Sequence, residues 1–257
     1  MYYKFETIFK KTADTQPNVP AELKEGTGYM KKGETLDNEF FKLIDPKKPI
    51  KLYIEDNDKG SYSTGRGDAV YIRGKKRNEK SPWEKQSVIY HEYGHCIDAQ
   101  RGLWRDKDLV DMRDKQIKEL KKSDKYPTWV REYNDETGRL QWVKKQEKMS
   151  LVKYIDGKLQ ELERRILMMK SATFTKRGIT RDDVIEQILA TRDTIKSLVI
   201  SYGEGHDDTY FRKPRMKETE YLAHAFENAF IGNRIFEKYL PEIYNEMIAY
   251  IKALKTF

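Results

Sequence analysis

Residues 91–95 read His-Glu-Tyr-Gly-His, and no other stretch restricts the fold as much. Two imidazoles four residues apart share a face only if the segment is helical, and both then reach one metal ion. The Glu between them stands beside that ion, where it can polarise a water molecule. A fold that uses the pair must open this helix onto a pocket and bring a third donor from elsewhere in the chain. Only four His occur in the 257 residues, and two of them are here.

The flanks predict how this helix is framed. Residues 49–54 alternate as a strand does, Asn57-Asp58-Lys59-Gly60 signals a turn, and Ser61-Tyr62-Ser63 and Ala69-Val70-Tyr71-Ile72-Arg73 read as two further strands. Together they predict a small, mostly antiparallel sheet just before the helix. Ser81-Pro82-Trp83-Glu84 has the form of a capping box with Pro at the first helical position. Val88, Ile89, Cys96, Ile97 and Ala99 give the helix an apolar side, and Gly102 is placed to end it. Cys96 is the only cysteine, so no intrachain disulfide forms; it points off the ligand face and reads as small core filler. Gly94 leaves room for a neighbouring backbone or a substrate to come close.

Residues 106–200 change character. The segment 109–122 is a charged helix. Leu151, Ile155, Leu159, Leu162, Ile166 and Met169 form an apolar seam, and Val184, Ile188, Ile195, Leu198 and Val199 mark another amphipathic helix. The expectation is a long helical insertion, a hairpin or small bundle, serving as a packing or docking arm. Ser201 to His206 form a Gly-broken loop, Pro214 precedes a helix over 218–231, and a last helix spans 234–255. The fold class expected is α+β and helix-rich: a small antiparallel or mixed sheet packed on the His-Glu-x-x-His helix, a helical insertion, and C-terminal helices. One domain, 1–257, divides into 1–105 (sheet and motif helix), 106–200 (arm) and 201–257.

Composition narrows the partners. Charged residues are 36% of the chain, and mean hydropathy is −0.88, which suits solvated helices around a modest core. Fifty basic against 42 acidic residues give a net charge of +8, a mild attraction for nucleic acid or acidic protein surfaces. With no nucleic-acid motif present, the charge reads mainly as solvation, and no specific nucleic-acid partner is expected. There is no signal-peptide layout and no membrane-spanning run, so a soluble, cytoplasmic protein without a membrane partner is expected.

A catalytic zinc site takes three protein ligands and leaves a fourth position for water. His91 and His95 supply two. For the third, Glu220 leads, at the start of Glu220-Tyr221-Leu222-Ala223-His224-Ala225-Phe226, because a carboxylate on a crossing helix is held rigidly. His206, Glu218 and His224 are the alternatives. Asp98, seven residues after His91, shares its face and can either accept from a ligand imidazole or pair with Arg101. His224, one turn beyond Glu220, faces the same way and can orient the site from behind or simply pack.

The motif helix followed by a Glu-x-x-Ala-x-x-Phe helix resembles the gluzincin metallopeptidases. Ser61-Tyr62-Ser63 before it, then Tyr202-Gly203-Glu204-Gly205-His206, Lys213-Pro214 and Glu218-Thr219-Glu220, resemble zincin-like domains associated with phage head-morphogenesis (minor head) proteins and related mobile-element or toxin proteins. The likeness covers about 50–100 and 200–232. It implies Zn²⁺ as the cofactor, Glu220 as third ligand, and peptide-bond hydrolysis with Glu92 as general base. It also implies His206 as the donor to the developing oxyanion, with Tyr202 or Tyr210 behind it. The implied partners are a protein or peptide substrate and, through the arm, phage head or portal proteins; the implied location is host cytoplasm or virion. Two other readings follow from the same likeness: a head- or portal-associated assembly protein with little turnover, and a toxin-type peptidase.

Overall fold

A computed structural model describes residues 48, 50–55, 60–73, 86–169, 181–199 and 208–254. Within them the chain is α+β and helix-rich. Three short strands, β1 (Lys51–Glu55), β2 (Tyr62–Ser63) and β3 (Ala69–Arg73), form one sheet in the order β1-β3-β2. The sheet is mixed, which corrects the mostly antiparallel expectation: β1 runs parallel to β3, and the shorter β2 runs antiparallel on the other side. The β2–β3 turn explains this order. The Gly67 amide donates to Thr64 O and the Thr64 amide to Ala69 O, so β2 folds directly back on β3 and leaves only the far side of β3 to β1. Ala69 and Val70 are buried, as a central strand requires.

Helix α1 (Gln86–Arg101) packs on this sheet, where the Cys96 thiol donates to Ala69 O. The expected capping box at Ser81–Glu84 lies outside the described residues. Within them, the Ser87 amide near the helix start donates to Glu186 Oε1 at 2.9 Å, a carboxylate reaching in from a later helix. Negative charge there complements the helix dipole. Gly102, with φ 70°, ends α1 in the left-handed conformation, as its position predicts.

After a short 3₁₀ turn (Leu103–Arg105), α2 (Lys107–Lys121) is N-capped by Asp106. The chain then departs from the all-helical insertion expected over 106–200. Residues Ser123–Asn134 and Arg139–Ser150 are strands β4 and β5 of a long antiparallel ribbon. Tyr126, Thr128, Trp129, Val130, Tyr133, Trp142 and Val143 are β-formers, and Asn134 to Gly138 is a turn in which Asn134 accepts from the amides of Thr137 and Gly138. The helical seams follow the ribbon as α3 (Leu151–Met168) and α4 (Arg181–Val199), joined by Arg192, whose guanidinium donates to Asp156 and Glu163.

The short α5 (Asp208–Phe211) leads to α6 (Met216–Phe230), α7 (Arg234–Tyr239) and α8 (Pro241–Ala253). The single helix expected over 234–255 is thus two, because Pro241 has no N–H to continue α7 and instead takes the first turn of α8. Every residue of α6 from Glu220 to Phe230 is buried, since α1, α2, α4 and α8 pack around it. Tyr90 stacks on Phe230, and Tyr93 meets Phe226 and Phe230, so the α1–α6 contact is the centre of the core. Among the described residues no helix is long and apolar enough to cross a membrane.

Candidate metal centre

Helix periodicity places His91, His95 and Asp98 on one stripe of α1 and Glu220, His224 and Glu227 on one stripe of α6. The two stripes face each other because the helices approach closely between them. A Cβ on Gly94 would stand 2.9 Å from Ala223 Cα and 3.1 Å from Phe226 Cβ. Only a glycine on one side and a small residue on the other allow that approach.

The approach brings three donors into a small triangle. His91 Nε2 lies 3.2 Å from His95 Nε2, 3.3 Å from Glu220 Oε2, and His95 Nε2 lies 3.4 Å from Glu220 Oε1. Donors about 2.0–2.1 Å from one tetrahedral zinc ion stand about 3.3 Å apart. The spacing and the donor types, two imidazole nitrogens and a carboxylate, therefore fit a zinc-sized cation. Glu220 is 1% exposed, so its charge is sheltered from water. Burial works to raise its carboxyl, but the two imidazoles hold it well below the ordinary range.

Behind the triangle stands Glu227, a residue that the sequence reading passes over. Its Oε2 lies 3.5 Å from His91 Nδ1 and 3.1 Å from His224 Nδ1. A carboxylate on Nδ1 fixes the ring and the tautomer that leaves Nε2 free for a metal. Its position, seven residues after Glu220, was the available signal. Burial opposes ionisation of Glu227, yet His224 and His91 bring it down to about 2. Burial likewise works against a proton on His91, but Glu220 and Glu227 hold its pKa well above the ordinary range. Without a cation, the buried carboxylates draw that proton onto His91.

The remaining candidates sort by position. His224 packs edge-on against His91, with ring centres 4.7 Å apart, and His91, Glu220 and His224 can each place one ligand atom within 4.8 Å of the others. Its Nδ1 is engaged by Glu227 and its Nε2 lies 3.9 Å from Asp193, so the tighter triangle with His95 is the better nest and His224 stands behind it. Glu218 points away, paired with Arg113. Asp98 bonds neither ligand ring. Its Oδ1 accepts from the Trp104 amide and its Oδ2 from the Thr219 hydroxyl, each at 2.8 Å, so it ties α1 to the residue just before Glu220. Trp104 reinforces that tie, lying between the guanidiniums of Arg105 and Arg215 at 4.4 and 4.5 Å.

Glu92 is 8% exposed, and among the described residues no hydrogen bond or ion pair engages its carboxylate. Its charge is felt by the Tyr210 phenol. Burial, then Glu220, then Glu92 push that phenol far above its ordinary range, and its hydroxyl donates to Glu220 Oε1 at 2.7 Å. Tyr210 thus sits over the triangle. His206 and Tyr202, the other expected oxyanion donors, lie outside the described residues.

The chain matches no protein-family model, no curated protein and no solved structure.

Proposed function

We propose that this protein is a zinc-dependent metallopeptidase with a zincin-like arrangement of helices. The observation that carries the proposal is the triangle of His91 Nε2, His95 Nε2 and Glu220 with edges of 3.2–3.4 Å. When bound there, zinc would acidify a water and polarise the scissile carbonyl.

The chain's own groups do the rest. Glu92, buried and unengaged beside the ligands, accepts a proton from the attacking water. The water oxygen forms its bond to the carbonyl carbon, and the C–N bond breaks as Glu92 returns the proton to the leaving amine. Tyr210 offers a hydroxyl to the oxygen on which charge develops, exchanging its bond to Glu220 for one to substrate. Glu227 keeps the His91 ring in place throughout. A purely structural site has no use for a free carboxylate at position 92, which favours turnover over a scaffold role. The substrate class proposed is protein or peptide, in a phage or mobile-element setting.

The test is cleavage of casein and of a mixed peptide library by the purified protein, with and without a chelator. Activity lost to the chelator, restored by Zn²⁺, and absent in a Glu92→Gln variant that still holds zinc supports the proposal. Full activity in Glu92→Gln contradicts it.

A further inference from the structure

The β4–β5 ribbon has two unlike faces. Strand alternation and the cross-strand pairs Trp129–Lys144, Arg131–Trp142 and Tyr133–Leu140 put these six side chains on one face. The apolar members are strongly exposed: Trp129 58%, Tyr133 63%, Leu140 61% and Trp142 61%. Arg131 lies over the Trp142 ring at 5.2 Å. Nearer the base, the same face carries the pair Lys125–Lys148. No Asp or Glu of either strand belongs to this face.

The acidic residues are on the other side. Asp124, Glu132 and Glu147 alternate onto the opposite face, where Lys145 pairs with Glu132 and Tyr126 stacks on Tyr154 of α3 at 4.5 Å. The face that turns to the body thus holds the mixed charge, and the face that turns away is cationic and aromatic. Its complement is an anionic partner with flat apolar groups.

We infer that this outward face binds single-stranded nucleic acid without reading its sequence. Same-face positions repeat about every 6.8 Å along a strand, so rings and cations alternate along and across the ribbon. Bases stack on exposed rings while phosphates meet the cations, and neither contact needs a particular base. The ribbon tip argues against a membrane: Asp135 and Glu136 would be the first groups to enter an anionic bilayer. A second copy of the same face would bring like charges together.

The test uses the full-length protein and a fluorescent dT20 oligonucleotide at low salt, read by anisotropy and tryptophan quenching. Saturable binding that weakens steeply with salt is expected. Trp129→Ala with Trp142→Ala should weaken it tenfold or more, because stacking on each ring is lost. Arg131→Glu with Lys144→Glu, which keeps both rings, should weaken it and flatten the salt dependence. Lys118→Ala, on exposed α2 surface, should bind as the parent does. Peptidase activity and circular dichroism report whether each variant is folded. The inference is overturned by absence of dT20 binding, by binding unchanged in both double variants, by tighter binding to duplex of the same length, or by ribbon-dependent capture on phosphatidylserine vesicles without dT20 binding.

Discussion

Gly94 and Ala223 set the distance between the two helices that carry His91, His95 and Glu220: a Cβ on Gly94 would come within 2.9 Å of Ala223 Cα. Backbone cannot yield as a side-chain tip does, so Gly94→Ala must push α1 from α6. Overpacking of this kind costs about 1–3 kcal/mol. The triangle would open with it, because its corners lie on both helices. Thermal unfolding should show a lower midpoint, and zinc titration a weaker site. An unchanged midpoint with unchanged zinc affinity would show that the helices are not held at this spacing.

Glu227 reaches His91 Nδ1 and His224 Nδ1 with one oxygen. Removing the charge by Glu227→Gln leaves the His91 ring less firmly oriented and less basic. Loss of such a supporting carboxylate lowers metal affinity about 10–100-fold. Competition with a zinc chelator measures this directly. Affinity equal to the parent's would exclude Glu227 from any part in holding the site.

The same charges predict how the metal-free protein responds to pH. Glu227 is brought from an ordinary value of 4.5 to about 2, so its contribution to stability is present above 4.5 and fades as pH falls toward 2. His91 is raised well above 6.5, so its contribution is complete below 6.5 and is lost as pH rises through the raised value. Between pH 4.5 and 6.5 both are in place. Denaturant unfolding of the metal-free protein should show this pair's support greatest in that window, and Glu227→Gln should flatten the profile. Metal needs a neutral His91, so zinc uptake should release a proton, visible as a buffer-dependent binding enthalpy.

Much of this site is legible in the sequence because its signals are local. His91, His95 and Gly102 follow from helical spacing and from glycine's tolerance of positive φ, and Glu220 follows from the need for a rigid carboxylate on a second helix. What escapes is set by how helices meet. Glu227 lies on the same stripe as Glu220, but its role depends on which imidazoles face it across the Gly94–Ala223 contact. Asp98 has the right phase on α1, yet its carboxylate is claimed by Thr219 and the Trp104 amide, partners supplied by tertiary packing. The ribbon is a different kind of miss. The charged helix at 109–122 before it and the seams at 151–169 and 184–199 after it draw the stretch into a helical reading, although its aromatic and β-branched residues and the Asn134–Gly138 turn carry the β signal. At 234–255 an unbroken apolar stripe hides the break that Pro241 imposes.

We propose that His91, His95 and Glu220 together hold one divalent cation. Anomalous diffraction at the zinc absorption edge, on crystals of the zinc-loaded protein, tests it most directly. One peak is expected about 2.0–2.2 Å from His91 Nε2, His95 Nε2 and a Glu220 oxygen, lost in Glu220→Ala. A peak seated on His224 and Glu227 instead, or a peak at the two histidines that survives Glu220→Ala unmoved, would contradict it.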